Sequence, residues 1–455
     1  MGQNSKRLRV LFVPDSVHWV TGTIAKSIAR FNPWIEATIA SGPVIDTIFG
    51  EQPELMNNFD LVHFTCPYAS REWLPRLREL MPCVTSHHHT SDWDLLKHNI
   101  DGDAIIVGSP EWSQDLAKRG GDISKVFWVP YGVDAEVFTP VGTARRESIR
   151  QMMGIASDVT TVGFFGKNSS NEYDRKGIDV FTAAILSLNK KLSRLAVVIV
   201  GPGWQELVGS LTRAGVDCHW FPFVKDSIAL AEKYRALDFY WVTSRVEGGP
   251  VTLLEAMSTE VCCLTTPVGL AREIVEDGRN AMLLPFNDAE AFTESTAALA
   301  LDELARQRLA RRGRQTILER MHVGLTATGV VKAYAAAFEN FARRLDRKIQ
   351  LDILAIATIT RAATEPGNEV PLNGLPPALK QRVRMLESLA FSENLILYHN
   401  QRSVGIRMIL REWMANPLSL MPPRVMLRRF LPNAIVTRLV KVRNRSRPAP
   451  ELAAH

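Results

Sequence analysis

Short continuous runs of apolar, largely β-branched residues recur along the chain. They are separated by stretches in which apolar positions return every three or four residues. In the first third the runs lie at residues 10–13, 61–64, 83–86, 104–107 and 127–129, with helical spacing at 24–30 and 112–119. The pattern restarts near residue 160, with runs at 161–165, 196–200, 218–221, 239–242, 261–264 and 281–284. Continuous rather than alternating runs mean strands buried on both faces, and therefore parallel sheets covered by helices. Two such series predict an α/β chain of two doubly wound, Rossmann-like domains. A polar, charge-rich interval at 138–157 marks the seam, which assigns residues 1–140 to the first domain and 157–335 to the second. Residues 336–455 read as a helical extension ending in a basic tail.

Composition narrows this picture. A chain of 455 residues with 46% hydrophobic and 22% charged positions has ample apolar material for two or three domains. The net charge of +6 is concentrated: residues 401–450 hold eleven basic residues and a single acid, Glu412. The body is thus slightly acidic, which excludes a uniformly basic nucleic-acid binder. Five cysteines without a C-x-x-C pair fit neither a disulfide framework nor a zinc site. The apolar start at 10–13 is too short for a signal peptide, and the stretch at 351–359 is too short to span a bilayer. A cytoplasmic protein is the expectation.

The most informative segment is SRVEGGPVTLLEAM, from Ser244 to Met257, directly after the run at 239–242. Doubly wound sheets bind ligands at such carboxyl ends of strands. Gly248 and Gly249 permit a tight turn and close backbone approach, and Pro250 suits the first helical position. The amides of Val251 and Thr252 would then face a phosphate. Glu247 lies in the turn and Glu255 one to two helical turns further on, so the two carboxylates need not share a task. Lys167 ends the run at 161–165, and Lys176 sits in Arg175-Lys176-Gly177, with Arg175 read as a solvated neighbour. Gly201-Pro202-Gly203 follows the run at 196–200 as a tight turn.

Glu247-x7-Glu255 within this segment resembles the donor-site motif of retaining GT-B glycosyltransferases of the family-4 type. Residues 266–285 (TPVGLAREIVEDGRNAMLLP) are similar to that family's next motif, although Leu270 and Ala281 stand where it has glycines; the first removes backbone freedom. FDLVH at 59–63, VPYGVD at 129–134 and VGFFGK…RKGID at 162–179 follow in the family's order. The resemblance covers residues 8–340. It implies a GT-B fold, in which two Rossmann-like domains face a cleft. The implied reaction moves a sugar from a nucleotide-sugar donor, with retention, to a glycan, lipid-linked or other acceptor.

By resemblance, Lys167 and Lys176 hold the donor diphosphate, Glu255 accepts the ribose hydroxyls and Glu247 orients the sugar. A nucleobase contact is implied at 223–225. Thr85-Ser86-His87 fits a pattern that puts one histidine by the donor sugar, with His88 as the alternative. Gly22, in Thr21-Gly22-Thr23 before a helix starting at Ile24, occupies the family's first glycine-rich loop near the diphosphate. Asp101-Gly102-Asp103 looks like the metal motif of the other glycosyltransferase architecture, but Asp103 runs straight into a strand. No metal and no cofactor beyond the donor are expected.

Rival readings are a sugar-nucleotide epimerase on the same architecture, a glycoside hydrolase using both glutamates, and a non-catalytic scaffold. The Lys-Gly match and the E-x7-E spacing argue against the epimerase. A hydrolase leaves the lysines without a purpose, and an intact donor site weakens the scaffold reading. The tail interleaves arginines with Leu, Ile and Val over 425–445. It fits docking on the body or self-association, an anionic membrane surface, or RNA, in that order.

Overall fold

A computed structural model describes residues 7–88, 93–169, 173–222, 224 and 226–345, with isolated positions between 372 and 387. The chain divides into two units, residues 1–376 and 377–455. The first unit contains two six-stranded parallel sheets.

The first sheet has the order β2-β1-β3-β4-β5-β6. Its strands are β1 (Leu8–Phe12), β2 (Ile35–Ile39), β3 (Leu61–Phe64), β4 (Cys83–His87), β5 (Ala104–Val107) and β6 (Val126–Trp128). The second has the order β12-β11-β10-β7-β8-β9. It comprises β7 (Thr160–Phe165), β8 (Leu195–Val200), β9 (Asp217–Phe221), β10 (Phe239–Val242), β11 (Cys262–Thr265) and β12 (Met282–Leu283). All eleven anticipated strands are present, and β2 is an addition. Strand order reverses between β1 and β3 in one sheet and between β7 and β10 in the other. Ligands bind such folds at these switch points, outside the carboxyl ends of the strands.

The seam interval is helical: the helix Thr143–Met152 joins the second sheet through Arg146 and Arg150. Both guanidinium groups bind Asp238, at 2.8 and 3.1 Å, just ahead of β10. Asp238 stays below its ordinary pKa: burial alone would raise it, and the two arginines outweigh burial.

The chain crosses between the sheets twice. Around Val133 and again at 321–323 the crossings pair, Val133 N–H donating to Met321 O (2.9 Å) and Val323 N–H to Val133 O (3.0 Å). The helix Val323–Arg344 then packs on the first sheet, burying Val330, Val331, Tyr334 and Ala337 in its core. Asp103 is consumed in this docking. Its carboxylate accepts the Cys83 amide at 3.0 Å and pairs with Arg344 at 3.2 Å. Among the described residues no cluster of three or more His, Cys, Asp or Glu could hold a metal ion, and no helix is long and apolar enough to cross a membrane. The tail at 401–455 and the nucleobase positions Phe223 and Lys225 lie outside the described residues.

Candidate active site

The carboxyl ends of the two sheets meet at the loop Ser244–Pro250. A β-carbon on Gly248 would fall 2.1 Å from the His88 carbonyl oxygen, and one on Gly249 would fall 2.4 Å from the Tyr131 ring. Glycine at these positions therefore lets the second domain seat directly on the first. Leu270, which replaces a family glycine, is fully buried and takes ordinary helical angles (φ −60°), so it needs no glycine freedom.

Within this loop Glu247 is 8% exposed and enclosed by cations. Lys176 Nζ lies 2.6 Å from one carboxylate oxygen, which also accepts Ser244 Oγ at 3.0 Å. Arg175 donates to the other oxygen at 3.0 Å and to the Val246 carbonyl at 3.0 Å. Burial by itself would raise the Glu247 pKa, but Lys176 and then Arg175 outweigh it and hold the group at about 2. Arg175 is accordingly no solvated neighbour. Arg245 explains why it is held there: its backbone N–H donates to Arg175 O at 2.8 Å, and its guanidinium clasps Asp179 at 2.6 and 2.9 Å. That clasp laces the loop at 173–177 to the loop at 243–247.

Glu255 has the opposite environment. It lies on the helix Val251–Ser258, is 8% exposed, and accepts only the Tyr234 hydroxyl, at 2.7 Å, among its recorded hydrogen bonds. Burial pushes its pKa up to about 7, with the Tyr234 bond opposing the rise. Two carboxylates separated in this way suit different tasks. Pro250 is the N-cap and not the first helical residue; the helix opens at Val251, and the Pro250 carbonyl accepts Leu253 N–H at 2.8 Å.

Lys167 follows β7 in a loop braced from beneath. Gly166 N–H donates to Val200 O (2.8 Å), Asn168 N–H to Pro202 O (2.9 Å), and the Trp204 indole to Gly166 O (2.8 Å). Gly203 has φ +89°, and a β-carbon there would sit 1.9 Å from Asn168 O, so the Gly201–Gly203 turn shapes the lysine loop by contact. The Lys167 ammonium reaches across to the first domain and stands 5.4 Å from the centre of the Trp19 ring.

On the first domain the helix begins at Val20, not Ile24, because Trp19 is the extended N-cap and its carbonyl accepts Thr23 N–H at 2.8 Å. Gly22 is thus inside the first helical turn. A β-carbon there would meet Ser16 O at 2.4 Å, so this glycine accommodates its own loop. His87 ends β4, fully buried, with its ring edge-on to Trp93 at 6.2 Å. His88 is the histidine whose main chain abuts Gly248. Its Nε2–H donates to Thr65 O at 2.8 Å, which leaves Nδ1 to accept the Tyr131 hydroxyl. Burial lowers the His88 pKa and keeps the ring neutral, as that pattern requires. Trp19, Tyr131 and Tyr234 were not singled out from the sequence. Tyr131 lies within the VPYGVD match, whereas Trp19 and Tyr234 carry no motif signal.

A sequence model described as Glycosyl transferases group 1 matches residues 159–302, the segment that carries β7–β12, Lys167, Lys176, Glu247 and Glu255. The second domain of the chain is thus similar to the group 1 glycosyl transferases. A D-inositol 3-phosphate glycosyltransferase of Xylanimonas cellulosilytica is 28% identical over 52% of this chain and 57% of its own. A lipopolysaccharide core biosynthesis mannosyltransferase, LpsB of Rhizobium meliloti, is 26% identical over 59% of this chain and 74% of its own. The chain spans about half the length of the inositol-phosphate glycosyltransferases that it matches. In three dimensions it is similar to Anabaena HepE, solved in complex with UDP, with a TM-score of 0.59 at 15% identity over 72% of this chain and all of that one. The chain has the GT-B fold of two Rossmann-like domains.

Proposed function

We propose that this protein is a group 1 glycosyl transferase that moves a sugar, with retention, from a nucleotide-sugar donor on its second domain to a glycan or lipid-linked acceptor entering from the first. One observation carries the reading. At the β7/β10 switch point Lys176 and Arg175 converge on Glu247 at 2.6 and 3.0 Å, with Lys167 in the loop that follows β7. A cationic pair already placed beside a carboxylate is suited to a diphosphate below and sugar hydroxyls above. The named relatives, a D-inositol 3-phosphate glycosyltransferase and a lipopolysaccharide core mannosyltransferase, support the acceptor class.

In this account the donor phosphates take Lys176 and Lys167, and the first turn at Val251 adds its amides. Glu247, released from Lys176, orients sugar hydroxyls, and Glu255 accepts the ribose hydroxyls. The bond from the anomeric carbon to the phosphate oxygen breaks as the acceptor oxygen bonds on the same face. The acceptor proton passes to the departing phosphate. Cationic side chains meet the developing charge, so no metal ion is required. His87, or its neighbour His88, stands at the sugar end, and seating Gly248 and Gly249 on the first domain excludes water. The enzyme works in the cytoplasm, with the basic tail at 401–455 first a docking or self-association segment and second a contact to the anionic inner membrane face; co-sedimentation with anionic vesicles, with and without the tail, separates the two.

The test of the reaction is a panel of nucleotide sugars, scored by melting temperature and then by nucleoside diphosphate release with candidate acceptors. Donor-dependent stabilisation and release that disappears in Glu247→Ala supports the proposal. Unchanged product formation in that variant refutes the assignment of Glu247.

A further inference from the structure

At the amino ends of β10 and β11, the far edge of the second sheet from the candidate active site, lies a cavity of about 370 Å³. Four arginines line it: Arg146, Arg235, Arg306 and Arg311. Three carboxylates, Asp238, Glu260 and Glu303, line it as well, so the arginines outnumber them by one. Arg235 donates to two carbonyls, Val137 O and Thr139 O, at 2.8 Å each, and has the Glu232 carboxylate near it on the same helix. Asp238 is bonded by Arg146 and Arg150 and also lies within electrostatic reach of Arg306. Glu260 faces Arg314 at 3.9 Å, and Glu303, largely exposed at the rim, stays 4.0 Å from Arg306. Counting Arg150 and Arg314 behind the wall, six guanidinium groups meet four carboxylates, Glu232, Asp238, Glu260 and Glu303.

Arg306 is the telling member. Its side chain is 19% exposed, and it rests over the Phe239 ring at 5.7 Å. Its recorded acceptors are the Leu299 carbonyl at 3.5 Å and Glu303 at 4.0 Å, both long for a guanidinium. A positively charged, largely enclosed group with such weak acceptors favours an anion beside it. The cavity is far larger than one phosphate and falls in the range of small-molecule sites.

We propose that this cavity binds a phosphate monoester carried on a small polar body, with Arg306 and Arg311 as its phosphate ligands. The site is separate from the donor cleft and does not depend on which reaction the cleft performs. The phosphate could come from a free sugar phosphate or from a lipid headgroup, and one experiment distinguishes them.

Titration calorimetry with a hexose 6-phosphate, and co-sedimentation with phosphatidylcholine vesicles with and without phosphatidic acid, are run on four full-length proteins. These are the wild type, Arg306→Gln/Arg311→Gln, Arg311→Glu and Lys167→Ala/Lys176→Ala. The hexose phosphate or the acidic vesicles bind the wild type and the lysine variant alike, and both arginine variants bind about tenfold more weakly or worse. Dependence of the hexose phosphate on the arginines identifies a free ester as the source; the same dependence confined to vesicles identifies a headgroup. Arg311→Glu alters an exposed helix position and keeps the test valid should loss of the Arg306 stack impair folding. Binding that survives in the arginine variants, binding that is lost in the lysine variant, or no binding by either probe overturns the proposal.

Discussion

On the second domain's cleft edge a single carboxylate, Glu247, is held by Lys176, Arg175 and Ser244. The first domain's edge opposes it with a neutral histidine, His88, and two aromatic side chains, Tyr131 and Trp19. One edge is an electrostatic device whose parts are satisfied before any ligand arrives. The other is a packed, largely uncharged surface that meets it through two glycines. Charge recognition of a diphosphate demands fixed cations at fixed places, so the same residues recur wherever that ligand does. A packed, uncharged edge imposes no such common demand, and it carries correspondingly less that can be named from sequence.

The comparison can be broken most forcefully at Glu247. Glu247→Gln is expected to lower the turnover number about 10²- to 10³-fold, the scale of losing one transition-state group, with little change in donor affinity. A drop confined to donor affinity would move Glu247 out of the chemistry.

Gly249→Ala attacks the seam between the edges. Its methyl group would overlap the Tyr131 ring, so activity should fall about tenfold or more, and Gly249→Ala/Tyr131→Ala should recover part of the loss. An unchanged rate would mean that this contact is not needed for transfer.

The two glutamates give opposite pH signatures. Glu247, held near 2, lends stability that is complete above its ordinary pKa of 4.5 and disappears as the pH falls toward 2. The gain is on the order of 3 kcal/mol. Lys176→Met should abolish most of it, read as a flatter acid limb in the melting temperature. Glu255, raised to about 7, retains a proton that the unfolded chain releases, so its contribution is full below pH 4.5 and lost as the pH rises through 7. Affinity for a nucleoside diphosphate should improve as Glu255 ionises, with an inflection near pH 7 that is absent in Glu255→Gln and moves upward in Tyr234→Phe. The smallest effect belongs to Trp19→Ala. Losing one exposed cation–π contact is worth about 0.5–1 kcal/mol, or roughly two- to fivefold in kcat/KM.

Legibility followed the same division. Strands buried on both faces show as continuous apolar runs, and eleven of them were readable. β2 was not, since Glu36 and Ala37 are poor strand formers; its extended state comes from pairing with β1 and from Asn373 N–H donating to Ala37 O at 3.1 Å. Glu247, Lys176 and Glu255 stood out because each falls in a short local motif, E-x7-E or Arg-Lys-Gly. Arg175 was misjudged because its position depends on Arg245, seventy residues later, clasping Asp179. Gly22 was misplaced because a helix can begin at an uncapped Trp19, where no Ser, Thr, Asp or Asn announces it. Contacts that close between distant segments leave no local trace.

The central claim is that the cations around Glu247 await a nucleoside diphosphate, and calorimetric titration of UDP and GDP against the wild type and Lys176→Ala tests it most directly. The account predicts binding of at least one of them to the wild type and about tenfold or greater weakening in the variant. Equal affinity for both proteins, or no binding of either nucleotide to the wild type, would contradict it.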